Sequence, residues 1–130
     1  MEISTQNLIR TDLHLIEAED GPSFHDRKPD VALSGSVTLD AQQSQELLKR
    51  TRVLRYSNQM RCHIPAYAAE CHYASGASVR LSICFKCNNI LVSTHELHGT
   101  IEFDAKAQSG QNLLKFLNRA LGVIKETEQP

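Results

Sequence analysis

HIPAYAAECHYASGASVRLSICFKC (63–87) is two runs of apolar and β-branched residues joined by Ser75-Gly76-Ala77-Ser78. This is the pattern of a β-hairpin. With Gly76 first in a two-residue loop, the turn reads as type II′. Cys71 is then expected opposite Ser82, Ala69 opposite Cys84, and Ala66 opposite Cys87. Opposed residues share a face and successive residues alternate. One face is predicted to hold Ile64, Ala66, Ala68, Val79, Leu81, Ile83 and Phe85, the core side. The other is predicted to hold Tyr67, Cys71, Tyr73, Arg80, Ser82, Cys84 and Lys86.

Working outward, QNLIRTDLHLIE (6–17) and VALSGSVTLD (31–40) read as strands, separated by the Gly/Pro-rich loop EDGPSFHDRKPD (19–30). Asp40 with Gln43 has the spacing of a capping box. Ala41, Ser44, Leu47, Leu48 and Leu54 form a stripe that predicts a helix from about 41 to about 53. Downstream, ELHGTIEFDA (96–105) predicts a strand with Leu97, Ile101 and Phe103 on one face. Leu113, Leu114, Leu117, Ala120, Leu121 and Ile124 predict a last helix, closed by Gly122, with 125–130 as a frayed tail. The expected fold is a single α+β domain over 1–130. It has an antiparallel sheet of about five strands with two helices on one face, in the order β-β-α-β-β-β-α. GSVTLDAQQSQELLKR (35–50) and GTIEFDAKAQSGQNLLKF (99–116) echo one another, through common local chemistry or duplication.

Bulk properties exclude some function classes. At 130 residues the chain is long enough for an ordinary core, and 41% hydrophobic with 22% charged residues is a globular composition. Fourteen basic and fifteen acidic residues leave a net charge of −1, so no global field favours nucleic acid. Aromatic content of 5%, without Trp, argues against base stacking. No stretch is apolar enough for a signal peptide or a membrane span. The expected compartment is a reducing cytoplasm, where four cysteines are thiols or ligands before they are disulfides.

The cysteines carry the candidate chemistry. Cys62, Cys71, Cys84 and Cys87, with His63 and His72 as alternative ligands, have the donor types of a structural zinc site, and Cys84-x-x-Cys87 is a usual bidentate unit. Asn88 tolerates the left-handed turn such a unit needs. The predicted register puts Cys71 and Cys84 diagonally on the outer face, roughly 5–8 Å apart, and assigns Cys62 and Cys87 to the inner one. All four would meet only through a bulge. Three readings stay open: plain structural thiols, structural zinc, and a redox pair. The last lacks the helix N-terminus that activates thioredoxin-type cysteines.

The ICFKCNN strand end, the cysteine-proline strand start (Cys62 to Pro65) and the capped DAQQSQELLKR helix resemble a group of small uncharacterised bacterial proteins, over roughly 35–120. The spacing between Cys62 and Pro65 is one residue longer than that group's pattern. The resemblance implies the fold unit and the cysteine pattern, with no activity attached.

Other motifs are weaker. GxSxG, Walker, GxGxxG and HExxH signatures are absent from the sequence. His95-Glu96-Leu97-His98 is one residue short of a zincin motif, and Ser23, His25 and Asp26 are ordinary loop residues. Lys49, Arg50, Arg52, Arg55 and Arg61 suit a helix C-terminus better than a nucleic-acid footprint. Two functions are therefore weighed. The first is a non-enzymatic protein-binding or regulatory module, of the build shared by small toxin-neutralising (immunity) proteins. Its partner surface would be Tyr67, Tyr73, Arg80 and Lys86, its partner another protein, and homo-oligomerisation stays open. The second is a thiol redox or metal-dependent activity at Cys84 and Cys87.

Overall fold

Alternation in β1 (Leu8–Ile16) sends Thr11 and Leu13, both fully buried, to one side and Arg10, Asp12 and His14 to the other. β1 is paired on both flanks, with β2 (Leu33–Leu39) and β3 (Tyr67–Tyr73). The sheet continues through β4 (Ser78–Cys84), β5 (Asn89–Ser93) and β6 (His98–Glu102) in the order β2-β1-β3-β4-β5-β6, antiparallel throughout. Helix α1 (Ala41–Arg52) follows β2 and α2 (Gln108–Ala120) follows β6. The computed structural model describes residues 3–16, 33–60 and 62–122. The expected loop at 19–30, with Ser23, His25 and Asp26, lies outside these residues, as do Arg61 and the tail.

The α+β class and the antiparallel sheet with both helices on one face agree with the sequence reading, and the sheet gains a sixth strand. The addition is β5, whose NILVS run follows the turn that closes β4. Leu47 and Leu48 of α1 and Leu113 and Leu117 of α2 share one buried cluster with Leu13, Leu39, Ile83 and Phe103. Each such side chain contributes roughly 1.5–3 kcal/mol on burial. Phe85 stands edge-on between Tyr67 and Phe103, at centroid distances of 5.7 and 5.6 Å. The Tyr67 hydroxyl, inside this layer, donates to Asn118 Oδ1 of α2.

The helix ends follow their local chemistry. Asp40 Oδ1 accepts from the Gln43 N–H at 2.8 Å and Gln43 Oε1 accepts from the Asp40 N–H at 3.1 Å, completing the expected capping box. Gly122 takes φ +71 just past α2, and its N–H bonds the Arg119 carbonyl, as a glycine after a helix does. The echo parts company at its aspartates. Asp40 caps α1 directly, whereas Asp104 opens a turn and α2 starts only at Gln108. The two echo strands, β2 and β6, are the opposite edges of the sheet.

The β3–β4 register differs from the predicted one by three residues. Tyr73 C=O accepts from Gly76 N–H at 2.9 Å and Tyr73 N–H donates to Ala77 C=O at 3.0 Å. Gly76, at φ +92, therefore ends a three-residue loop instead of starting a two-residue one. The observed pairs are Tyr67 with Ile83, Ala69 with Leu81 and Cys71 with Val79. An odd shift exchanges the faces of one strand relative to the other. Leu81 and Ile83 stay on the core side as expected, but Tyr67, Cys71 and Tyr73 join them there, and Ala68 moves to the outer face. β6 also starts later than expected: Leu97 sits exposed in a tight turn in which Thr94 N–H bonds Leu97 C=O.

Candidate functional site

Parity across the sheet defines what the helices leave uncovered. One cross-strand row on the outer face runs Thr38, Asp12, Glu70, Arg80, Ser93 and His98. Its charges are paired on the strands themselves. Arg80 Nη2 lies 3.2 Å from Glu70 Oε2, and His72 Nε2 lies 2.9 Å from Asp12 Oδ2 and 3.5 Å from Glu70 Oε1. Arg10 closes the group at 4.0 Å from Asp12. Each exposed pair adds under about 1 kcal/mol of stability, so the arrangement orders the surface more than it holds the fold. Beside Arg80, a depression of about 390 Å³ is lined by Ser82, Leu91, Ser93, His98 and Thr100.

Of the partner surface expected from the sequence, Arg80 and Lys86 are exposed. Tyr67 and Tyr73 are corrections: Tyr67 is only 2% exposed beneath α2, and Tyr73 packs against the same core with its hydroxyl on Ser4 C=O. Asp12, Glu70 and His72 take their place. The spacing to find them was present in the sequence, and only the turn length hid it.

The other end of the outer face is covered by the connection from α1 to β3. Gln59 N–H bonds Glu102 Oε2, Met60 N–H bonds Cys87 C=O at 2.8 Å, and Ala66 N–H bonds Ile83 C=O at 3.1 Å. The chain thus wraps round the β4–β5 turn before it enters β3. Asn89, 2% exposed, ties it down. Its Nδ2 donates to Gln59 Oε1 and to the Cys62 carbonyl, which leaves Oδ1 facing His63 Nδ1 at 2.7 Å. Because that oxygen only accepts, Nδ1 of His63 carries the proton and Nε2 accepts from the Ser82 hydroxyl at 2.9 Å. Both ring nitrogens are engaged, and His63 is not poised as a metal ligand.

This wrapping sorts the cysteines, all of which are free thiols. Cys84 pairs with Asn89 at the mouth of the β4–β5 turn, and Asn88 holds φ +56 inside it. The Cys87 thiol is buried in this turn, close to Cys62 and Cys84. Burial pushes this thiol up to about 12, and its contacts with Cys62 and Cys84 add to the rise. Cys71 is a correction to the expected four-cysteine set: it faces the helices, opposite Thr11, on the far side of the sheet from Cys84. His72 is a second correction, since it is spent on the carboxylates of Asp12 and Glu70. Among the described residues, no three metal-ligating side chains already converge on one point.

The remaining basic residues are largely structural. Arg50 pairs with Glu46 at 2.9 Å and lies over the Phe116 ring, and Arg52 donates to the Ile3 carbonyl. His95 is exposed in the β5–β6 turn and His98 lies on β6, so the two do not form a chelating pair. Among the described residues, no helix is long and apolar enough to cross a membrane. Comparison of the chain with family models, with curated proteins and with solved structures returns no match.

Proposed function

We propose that the protein is a non-enzymatic binding module whose contact surface is the outer face of the sheet, and that its partner is another protein. One observation carries this reading. Arg10, Asp12, Glu70 and Arg80, with His72 hydrogen-bonded to Asp12, form a pre-paired array on three adjacent strands, on the face opposite both helices. Side chains held by rigid strands lose little freedom on binding, which favours recognition. The mixed signs suit a polar protein surface better than nucleic acid or an anionic membrane. The depression beside Arg80 offers room for one partner side chain. Free thiols agree with a cytoplasmic setting, and a regulatory or toxin-neutralising role is the kind this build serves.

The redox alternative has less support. A nucleophilic thiol needs a lowered pKa, and the Cys87 thiol is raised to about 12.

The test compares partner recovery from extracts of the encoding cells by the wild-type chain, by Arg80→Glu and by Lys49→Glu on the helix side. Loss of a partner with Arg80→Glu alone supports the assignment. Retention by Arg80→Glu of everything the wild type binds rejects it.

A further inference from the structure

Backbone hydrogen bonds fix which flank of β6 is free. The Phe103 N–H bonds the Asn88 carbonyl at 3.0 Å, on the β5 side. The next N–H, that of Asp104, bonds the Arg55 carbonyl at 2.8 Å, on the opposite side. Successive backbone groups of a strand alternate between its two flanks, and β6 pairs with β5 without a register break. The N–H and C=O groups of His98, Thr100 and Glu102 therefore point away from β5, along the edge of the sheet. Arg55 covers that edge at Asp104. Among the described residues, no backbone bond reaches it from His98 to Glu102. No proline, lysine or bulge blunts the strand, as exposed edges are commonly blunted.

We infer that two copies of this chain pair through β6, antiparallel and about a two-fold axis at Thr100, into one continuous sheet. Thr100 then faces the second copy's Thr100, and each outward residue exchanges both backbone bonds with its opposite. A two-fold contact must be self-complementary, and this register is. His98 stands opposite the second copy's Glu102, and Glu102 opposite the second copy's His98, all on the outer face. The Gln59 N–H on Glu102 Oε2 orders that carboxylate. The strand ends agree as well. The exposed Leu97 precedes β6, and the exposed Tyr56 follows Arg55 where the chain covers Asp104. Antiparallel pairing carries each copy's Leu97 toward the other's Tyr56, taking apolar surface out of water. The opposite edge, β2, offers β6 no such match, since LSGSVTL holds no charge. The depression beside Arg80, lined in part by His98 and Thr100, borders the axis, so the dimer sets two of them on one face.

Sedimentation equilibrium of the full chain, at concentrations reaching about 1 mM, reads the association directly. The wild type is expected to show a monomer–dimer equilibrium. Thr100→Pro removes an N–H that makes no bond within the sheet, so the chain should keep its circular dichroism and lose the dimer. His98→Glu sets like charges opposite at both ends of β6 and should weaken association by about tenfold, whereas His98→Lys should keep it. A wild type that stays monomeric overturns the inference. So does a dimer that Thr100→Pro or His98→Glu leaves unweakened, because its contact then lies elsewhere. Equal weakening by His98→Lys and His98→Glu overturns the pairing of His98 with Glu102. Growth beyond the dimer overturns the two-fold register in favour of an open contact of β6 with β2.

Discussion

Thr11 and Cys71 are direct cross-strand partners, both fully buried on the helix side of the sheet. The Thr11 hydroxyl lies beside the Cys71 thiol there and has no hydrogen-bond partner of good geometry among the described residues. A thiol is a weak partner, so most of the cost of burying the hydroxyl stands uncompensated. Thr11→Val keeps the volume and removes the polar atom. It is expected to raise the unfolding free energy by about 1 kcal/mol, read as a higher urea midpoint with an unchanged slope.

The same burial predicts loss of stability in alkali. Burial pushes the Cys71 thiol from its ordinary 9.0 up to about 11, an effect that Thr11 partly offsets. Above pH 9 the unfolded chain gives up this proton while the folded chain keeps it, so unfolding gains with pH. The contribution is complete below pH 9 and is lost as pH rises to about 11, on the order of 2–3 kcal/mol. Tyr73, raised from 10.0 to about 12 chiefly by burial, extends the decline upward. Urea titrations from pH 8 to 11 should show a shallower fall for Cys71→Val than for the wild type.

Asn89 holds the connection over the β4–β5 turn by donating to two oxygens. Asn89→Asp keeps the shape but points a carboxylate at the Cys62 carbonyl, which cannot reorient. The change should cost about 2–4 kcal/mol. It should also raise amide exchange at Met60 and Ala66 before the rest of the sheet responds.

Gly110 sits where the first turn of α2 crosses the chain leaving β6. A Cβ there would lie 2.5 Å from the Asp104 carbonyl oxygen and 2.9 Å from Ala105 backbone atoms. Backbone cannot yield as a side-chain end can. Gly110→Ala is therefore expected to destabilise by about 1–3 kcal/mol or more, although alanine is the better helix former. Thermal unfolding of the single variant checks this.

Much of the fold was legible because local chemistry agreed with global placement. The Asp40 cap, the leucine stripes and the Gly122 stop each act within a few residues. The candidate site was less legible, because face assignment depends on turn length. Ser75-Gly76-Ala77-Ser78 admits a loop with Gly76 first or last, and the choice moves Tyr67, Cys71 and Tyr73 through the sheet. β5 was hidden because SICFKCNN reads as one strand end until Asn88 reverses the chain. The meeting of Cys62 with Cys87 depends on a connection whose path is set by Gln59, Met60 and Asn89, and no periodicity announces it.

The charged array, and the place of Cys71 on the helix side, depend on one register, that of β3 on β4. Cross-strand nuclear Overhauser contacts test it directly. Contacts of Cys71 with Val79 and of Glu70 with Arg80 are expected. Contacts of Cys71 with Ser82 and of Ala69 with Cys84 would contradict it, returning Cys71 to the side of Cys84 and removing Glu70 from the outer face.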